Sequence, residues 1–292
     1  MQKKKTYSII IPHYNTPMLL QRCIDSIPVT DFIELIIVDD NSDNIDKNNF
    51  PGIDRENTKV FFSDISLTAG GARNLGLQNA SGDWVVFADS DDFFHEGFHD
   101  FLIENKDADA DLIYFAMDSV FSDTLLPSDR AADIASVLKK ASEGDVESRN
   151  IIRYKFLYPS CKIIKKSIID KNHIRFDEVP ASNDTMFGIK VATAAKIIEF
   201  RQDVLYCLTY RENSLVTSYK YKNLKSRLVV SVKLYSFLKE LGKEKYAQSS
   251  FSHWLQIRYV NYGFLFKDFF YLVRHRGFSY FFRELLKLKV SI

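Results

Sequence analysis

Asp89, Ser90, Asp91 and Asp92 stand directly behind the apolar run Trp84 to Ala88, and Asp39 and Asp40 stand in the same way behind Glu34 to Val38. Carboxylates paired on a turn suit Mg²⁺ or Mn²⁺, which take one or two protein carboxylates and complete their shell with water and substrate phosphates. The Asp-x-Asp spacing alone is weak, since Asp107, Asp109 and Asp111 repeat it and short patterns recur by chance. Position is the stronger signal. Two acidic pairs at one sheet edge repel each other unless a cation or the donors of a ligand lie between them, and a bound metal nucleotide supplies both. Gly70-Gly71-Ala72-Arg73-Asn74 leads into a helix and aims free amides and a guanidinium at the same edge, a combination suited to phosphate or ribose. The plainer alternative is a tight turn with Arg73 at the surface.

These groups need a scaffold to bring them together. Tyr7 to Ile11 and Glu34 to Val38 are short β-branched runs separated by helical spacing over Met18 to Ile27, which predicts a βαβ start. Lys59 to Phe62 predicts a third strand, Gly71 to Asn79 a helix, Trp84 to Ala88 a fourth strand and Asp111 to Phe115 a further one. The result is an α/β sheet with helices on both faces. Ligands of such sheets gather outside the carboxyl ends of the strands, where Pro12-His13-Tyr14-Asn15, Asp39-Asp40-Asn41-Ser42-Asp43 and Asp89 to Asp92 converge. Phe121 to Arg149 is polar and weakly periodic, a loop or short helices. Helices are expected over Lys165 to Asn172 and Asp184 to Ala195, and a strand over Ile197 to Phe200. Beyond Tyr219 the pattern is helical and aromatic.

With 292 residues, 46% of them hydrophobic, the chain has the composition of a globular protein built from one main domain and an appendage. Cys23, Cys161 and Cys207 are too scattered for a disulfide framework or zinc site and read as core residues of a reducing compartment. No signal peptide is recognisable, and the most apolar late stretch, Phe264 to Phe282, is interrupted by Lys267, Asp268, Arg274 and Arg276. A membrane span needs about 20 mostly apolar residues, so a cytoplasmic chain without a transmembrane anchor is expected. The net charge of +1 hides an asymmetry: residues 1–219 carry 24 Lys and Arg against 34 Asp and Glu, and residues 220–292 carry 15 against 4.

Four ordered segments resemble the signature series of family 2 glycosyltransferases: Ser8 to Asn15, Ile36 to Ser42, Gly71-Ala72-Arg73-Asn74-x-Gly76, and Phe87 to Asp92. The resemblance implies the GT-A fold, a Rossmann-like mixed sheet flanked by helices, here over residues 1–219 with a helical C-terminal extension over 220–292. It implies an inverting enzyme that uses a nucleoside-diphosphate sugar, most often a UDP-sugar, with Mn²⁺ or Mg²⁺. Carried over by residue, Pro12, Tyr14, Asn15 and Asp40 would meet the base and ribose, while Asp89 and Asp91 match the DxD motif with Asp91 the direct metal ligand. Asn183-Asp184-x-x-Phe187 resembles the family's Glu-Asp-x-x-Phe box, which makes Asp184 the catalytic base, although Asn183 replaces the usual Glu. An acid at the start of a helix is also a common cap. Tyr210-Arg211-Glu212-Asn213-Ser214 resembles a segment near the donor phosphates, and Arg211, with Arg73, joins the donor-binding set.

The Gln-x-x-Arg-Trp motif and membrane spans of processive members are absent, so a non-processive hexosyltransferase that extends a glycan or lipid-linked oligosaccharide in surface polysaccharide biosynthesis is expected. Two rivals are a sugar-phosphate nucleotidyltransferase and an inactive nucleotide-sugar-binding scaffold. Phe251 to Phe282 interleaves aromatic residues with Arg258, Lys267, Arg274 and Arg276. This fits either an anionic membrane surface or a helical subdomain packed on the catalytic one. No nucleic-acid-binding module is recognisable.

Overall fold

A computed structural model describes residues 6–211 and 220–290. Eight strands, β1 (Tyr7–His13), β2 (Ile33–Asp39), β3 (Thr58–Phe62), β4 (Trp84–Phe87), β5 (Phe93–Phe94), β6 (Leu112–Phe121), β7 (Lys162–Lys165) and β8 (Ile198–Tyr210), form one sheet. Its order is β3-β2-β1-β4-β7-β6-β8-β5. The first four are mutually parallel, and β7 enters antiparallel between β4 and β6. β1 and β2 are buried along their whole length, which is why they read as continuous apolar runs: a parallel sheet covered on both faces leaves no side for polar alternation. Gly76 lies against β1, where a Cβ would stand 2.4 Å from Ile10 Cγ2, so the helix Thr68–Asn79 approaches the sheet only because that side chain is missing.

The second half departs from the sequence expectations in β7 and β8, and resolves the stretch expected as a loop or short helices in favour of helices. β8 runs for 13 residues instead of stopping at Phe200. Arg201-Gln202-Asp203 breaks the apolar pattern because it bulges: Tyr114 pairs with Phe200, yet Ala116 already pairs with Val204. β7 was hidden because Lys162 to Lys165 is only four residues long, too short for periodicity to register. Phe121 to Arg149 contains the helix Ala132–Ser142 and the start of a second, Val146–Lys155, whose first turn is capped by the Asp145 carboxylate accepting from the Ser148 amide at 2.7 Å.

The helix Thr185–Ala194 places Asp184 and docks tightly. Phe187 stacks on Phe176 at 3.8 Å, and both rings pack edge-on against Phe87 at the end of β4. A Cβ on Gly188 would lie 2.3 Å from the carbonyl oxygen of Leu157. Gly188→Ala is therefore expected to lower stability by about 1–3 kcal/mol, the usual cost of overpacking; an unchanged denaturation midpoint would show that the contact is not close.

The C-terminal helices Tyr221–Glu240, Ser250–Gln256, Tyr262–Arg276 and Phe278–Val290 pack on this body. Val230, Leu234 and Leu238 join Tyr154, Leu157, Met186 and Ile189 in one cluster, while Leu224, Leu228, Phe251, Trp254, Ile257, Leu272 and Tyr280 form another. Asp268 is buried and paired with Lys225 and the Tyr221 hydroxyl. The aromatic stretch thus divides: Phe251, Trp254 and Tyr280 are core, whereas Tyr262, Phe266, Phe270, Phe278 and Phe282 remain exposed. Among the described residues no helix is long and apolar enough to cross a membrane.

Candidate active site

The first two strand-end turns are tied to each other. Thr16 donates its amide to His13 Nε2 at 3.0 Å, which leaves Nδ1 to carry the proton and donate to Asp39 Oδ1 at 2.7 Å. Asp39 also accepts from the Ser42 hydroxyl and amide. Burial alone would raise its carboxyl, but these hydrogen bonds hold it below the ordinary Asp range. Asn15 and Asp43 exchange reciprocal hydrogen bonds at 3.0 and 2.8 Å. Both Asn15 and Asn41 sit at positive φ, a region Asn tolerates better than most residues.

Asp40 turns the other way, into a cleft. It accepts from the Leu67 amide at the start of the helix Thr68–Asn79 and from Ser66 and Thr68, while burial and the neighbouring Asp39 charge raise its carboxyl. The amides expected to be free for phosphate near Gly70 are thus partly engaged by Asp40. The two glycines serve packing, since a Cβ on Gly70 would lie 2.2 Å from the Asp177 carbonyl oxygen and one on Gly71 2.9 Å from Leu67 Cβ.

At the third strand end the three carboxylates have separate surroundings. Asp92 is buried and accepts from the Tyr206 hydroxyl at 2.8 Å and the Thr209 amide at 2.7 Å. Tyr206 accepts from the Asp89 amide, and the Asp91 carbonyl is held by Arg22 at 2.6 Å and by the Thr209 hydroxyl at 2.7 Å. The turn is thus fixed through its backbone and the Asp92 side chain, which leaves the Asp89 and Asp91 carboxylates to pair with cations. Arg73, itself buried, donates to Asp89 at 2.5 Å and to Asn183 Oδ1 at 3.1 Å. The Asp91 carboxylate pairs with Arg211 at 3.5 Å; burial and the charge of Asp89 raise it. Two carboxylate oxygen donors on one hydrogen-bonded turn, Asp91 raised by burial and its neighbour's charge, fit Mg²⁺ or Mn²⁺.

Asp184 precedes the helix Thr185–Ala194 but makes no side-chain capping bond, so the cap that its position allows does not form. Burial raises its carboxyl, with Arg73 opposing and Asp89 adding to the shift. Lys162, whose amine burial lowers to about 7, also acts on it electrostatically. Pro12, Tyr14, Asp40, Arg73, Asp89, Asp91, Asn183 and Arg211 line one cleft of about 580 Å³. Asp184 is one residue behind that wall, and Asn15 is not part of it. Glu212 to Thr217, in the segment quoted with Arg211, lies outside the described residues.

Arg130, Lys220 and Lys222 line the cleft too, so the C-terminal region reaches the site. Sequence reasoning missed these cations together with Tyr206, Thr209 and Arg22. The signal for Tyr206 and Thr209 was lost with the far end of β8. Another group of ligand-type atoms, on His95, Asp118 and Cys207, lies within 4.8 Å of one another but does not line the cleft.

Residues 8–172 match the family described as glycosyl transferase family 2. The chain is 30% identical over 221 residues to the poly(ribitol-phosphate) β-N-acetylglucosaminyltransferase TarP of Staphylococcus aureus, an alignment covering 71% of this chain but 64% of TarP. It is 26% identical over 192 residues to the GalNAc(5)-diNAcBac-PP-undecaprenol β-1,3-glucosyltransferase of Campylobacter jejuni, covering 63% of this chain and 59% of that protein. The crystal structure of residues 1–349 of S. aureus TarS in complex with UDP-GlcNAc superposes with a TM-score of 0.63 at 22% identity, covering 86% of this chain and 70% of that one. The likeness to TarS shows a shared fold.

Proposed function

The chain belongs to glycosyl transferase family 2, and we propose that within it the protein is an inverting, non-processive, metal-dependent hexosyltransferase. Its donor is a nucleoside-diphosphate sugar, a UDP-sugar by likeness to TarS, whose crystal structures hold UDP-GlcNAc and UDP. Its acceptor is a glycan or lipid-linked oligosaccharide in surface polysaccharide biosynthesis, met at the cytoplasmic face of the membrane.

The observation that carries this reading is the environment of Asp184. It is a carboxylate made more basic by burial, not used as a cap, and linked through Arg73 to the DxD turn. A general base works best with a pKa shifted towards the operating pH. Asp184 takes the proton of the acceptor hydroxyl as its oxygen bonds to the anomeric carbon. The bond from that carbon to the diphosphate breaks, its electron pair leaves on the phosphate oxygen, and the configuration inverts. Mg²⁺ or Mn²⁺ on Asp91, with Asp89 beside it, would supply positive charge to the leaving group when bound. Arg211 adds a cation on the same wall. Pro12, Tyr14 and Asp40 supply the base and ribose end, and Asn15 braces it by holding Asp43.

Asn183 in place of Glu leaves a neutral acceptor for Arg73, whose charge is matched by Asp89. A panel of nucleotide sugars, each tested with and without Mn²⁺, is expected to yield metal-dependent release of the nucleoside diphosphate from one donor class. Release of pyrophosphate from a nucleoside triphosphate supplied with a sugar phosphate would point instead to a nucleotidyltransferase, and no release from any donor, with or without a glycan acceptor, would point to a scaffold.

A further inference from the structure

The helices Tyr262–Arg276 and Phe278–Val290 bury one side and leave the other uncovered. Leu272, Tyr280 and, partly, Phe269 and Phe281 pack with Trp254 inside. On the outside Phe266 and Phe270 are 67% and 58% exposed, and Phe278 and Phe282 are 58% and 56% exposed. Each pair is spaced i, i+4, on one helix face. The pairs belong to one surface: Phe266 meets Phe270 at 5.3 Å, Phe270 meets Phe269 at 5.5 Å, and Phe269 meets Phe278 at 6.3 Å. Phe269 also meets Phe281 at 4.9 Å, and Phe281 meets Phe282 at 6.0 Å. Exposed Lys267 and Arg274 lie among these rings in sequence, within a region whose net charge is +11.

We propose that Phe266, Phe270, Phe278 and Phe282 form the face by which the chain enters the headgroup–acyl boundary of an anionic bilayer, with Lys267 and Arg274 at the headgroups. Aromatic rings flanked by basic side chains are the composition of an interfacial helix. The charge favours a bilayer over a second copy of the chain, because pairing two such regions would bring like charges together, whereas acidic lipids oppose them. For its purpose this inference rests on the membrane-facing acceptor proposed above; its geometry does not. The helix Tyr221–Glu240 begins at the cleft, which Lys220 and Lys222 line, and also contributes Leu224, Leu228 and Val232 to the cluster beneath the exposed face. The inserting face and the site are therefore joined by packed structure.

The test uses the full chain and vesicles of phosphatidylcholine mixed with phosphatidylglycerol, with pure phosphatidylcholine as control. The wild type is expected to sediment with the anionic vesicles and to retain part of that binding at high salt, because apolar insertion is not screened. F266S/F270S should lower partitioning by at least about tenfold, F266L/F270L should restore it, and K267Q/R274Q should weaken it at low salt only. Equal binding by wild type and F266S/F270S would overturn the proposal. So would a stable dimer that F266S/F270S dissociates while vesicles capture neither protein, which would assign the face to a second copy. Vesicle binding by a chain that releases no nucleoside diphosphate from any donor would sink the transferase reading and leave this one standing.

Discussion

Replacing Asp184 by Asn is expected to leave nucleotide-sugar binding nearly intact while lowering transfer by about 10² to 10⁴, the range for loss of a positioned general base. Binding should survive because the groups assigned to the donor, Asp40, Asp89, Asp91 and Arg211, line the cleft and Asp184 does not. The fold should survive because the carboxylate caps nothing, and burial already disfavours its charge. The pH profile gives an independent readout. The carboxylate form is the base, so activity falls as pH drops through its pKa. Burial moves that pKa up, so the acid limb of kcat/KM should lie above the ordinary Asp value of about 3.9. Product stereochemistry separates the routes further, since one displacement inverts the anomeric centre and passage through a glycosyl-enzyme retains it. Near-normal turnover by Asp184→Asn, or a retained product, would remove Asp184 from this role.

The parallel half of the sheet was legible because each strand is a buried run ending in polar turn residues, so one pattern reports both the strand and the edge where ligands gather. The antiparallel half was less so. β8 bulges at Arg201 to Asp203, and reading it as ended hid Tyr206 and Thr209, which lock the DxD turn from a strand more than 110 residues away in sequence. Local periodicity does not report such long-range hydrogen bonds. The cations of the cleft were hidden for a related reason: Lys220 and Lys222 begin the region that charge alone sets apart from the catalytic domain. The resemblance set Asp40 and Asp91 apart from their neighbours, but the sequence did not report that Asp39 and Asp92 are engaged by hydrogen bonds within the turns, Asp92 even though it shares the cleft wall with Asp40 and Asp91.

That difference makes Asp91 and Asp92 a matched pair for separating chemistry from folding. Asp91→Ala is expected to reduce nucleotide-sugar affinity in Mn²⁺ to its metal-free level. Its side chain pairs with Arg211, while the Arg22 and Thr209 bonds that hold the turn go to its backbone carbonyl and persist in Ala. The like-charge strain with Asp89 is also relieved, so stability should change by no more than about 0.5 kcal/mol, as for substitutions away from buried networks. Asp92→Ala should behave in the opposite way. It leaves the Thr209 amide and Tyr206 hydroxyl without their buried acceptor, at a cost of about 1–3 kcal/mol, and lowers donor binding only by loosening the turn. Titration of each variant with nucleotide in the presence and absence of Mn²⁺, alongside denaturant unfolding, resolves the two effects. If Asp91→Ala kept its Mn²⁺-stimulated affinity, the cation would have to be held elsewhere, and the role of the DxD turn would reduce to positioning Arg73 through Asp89.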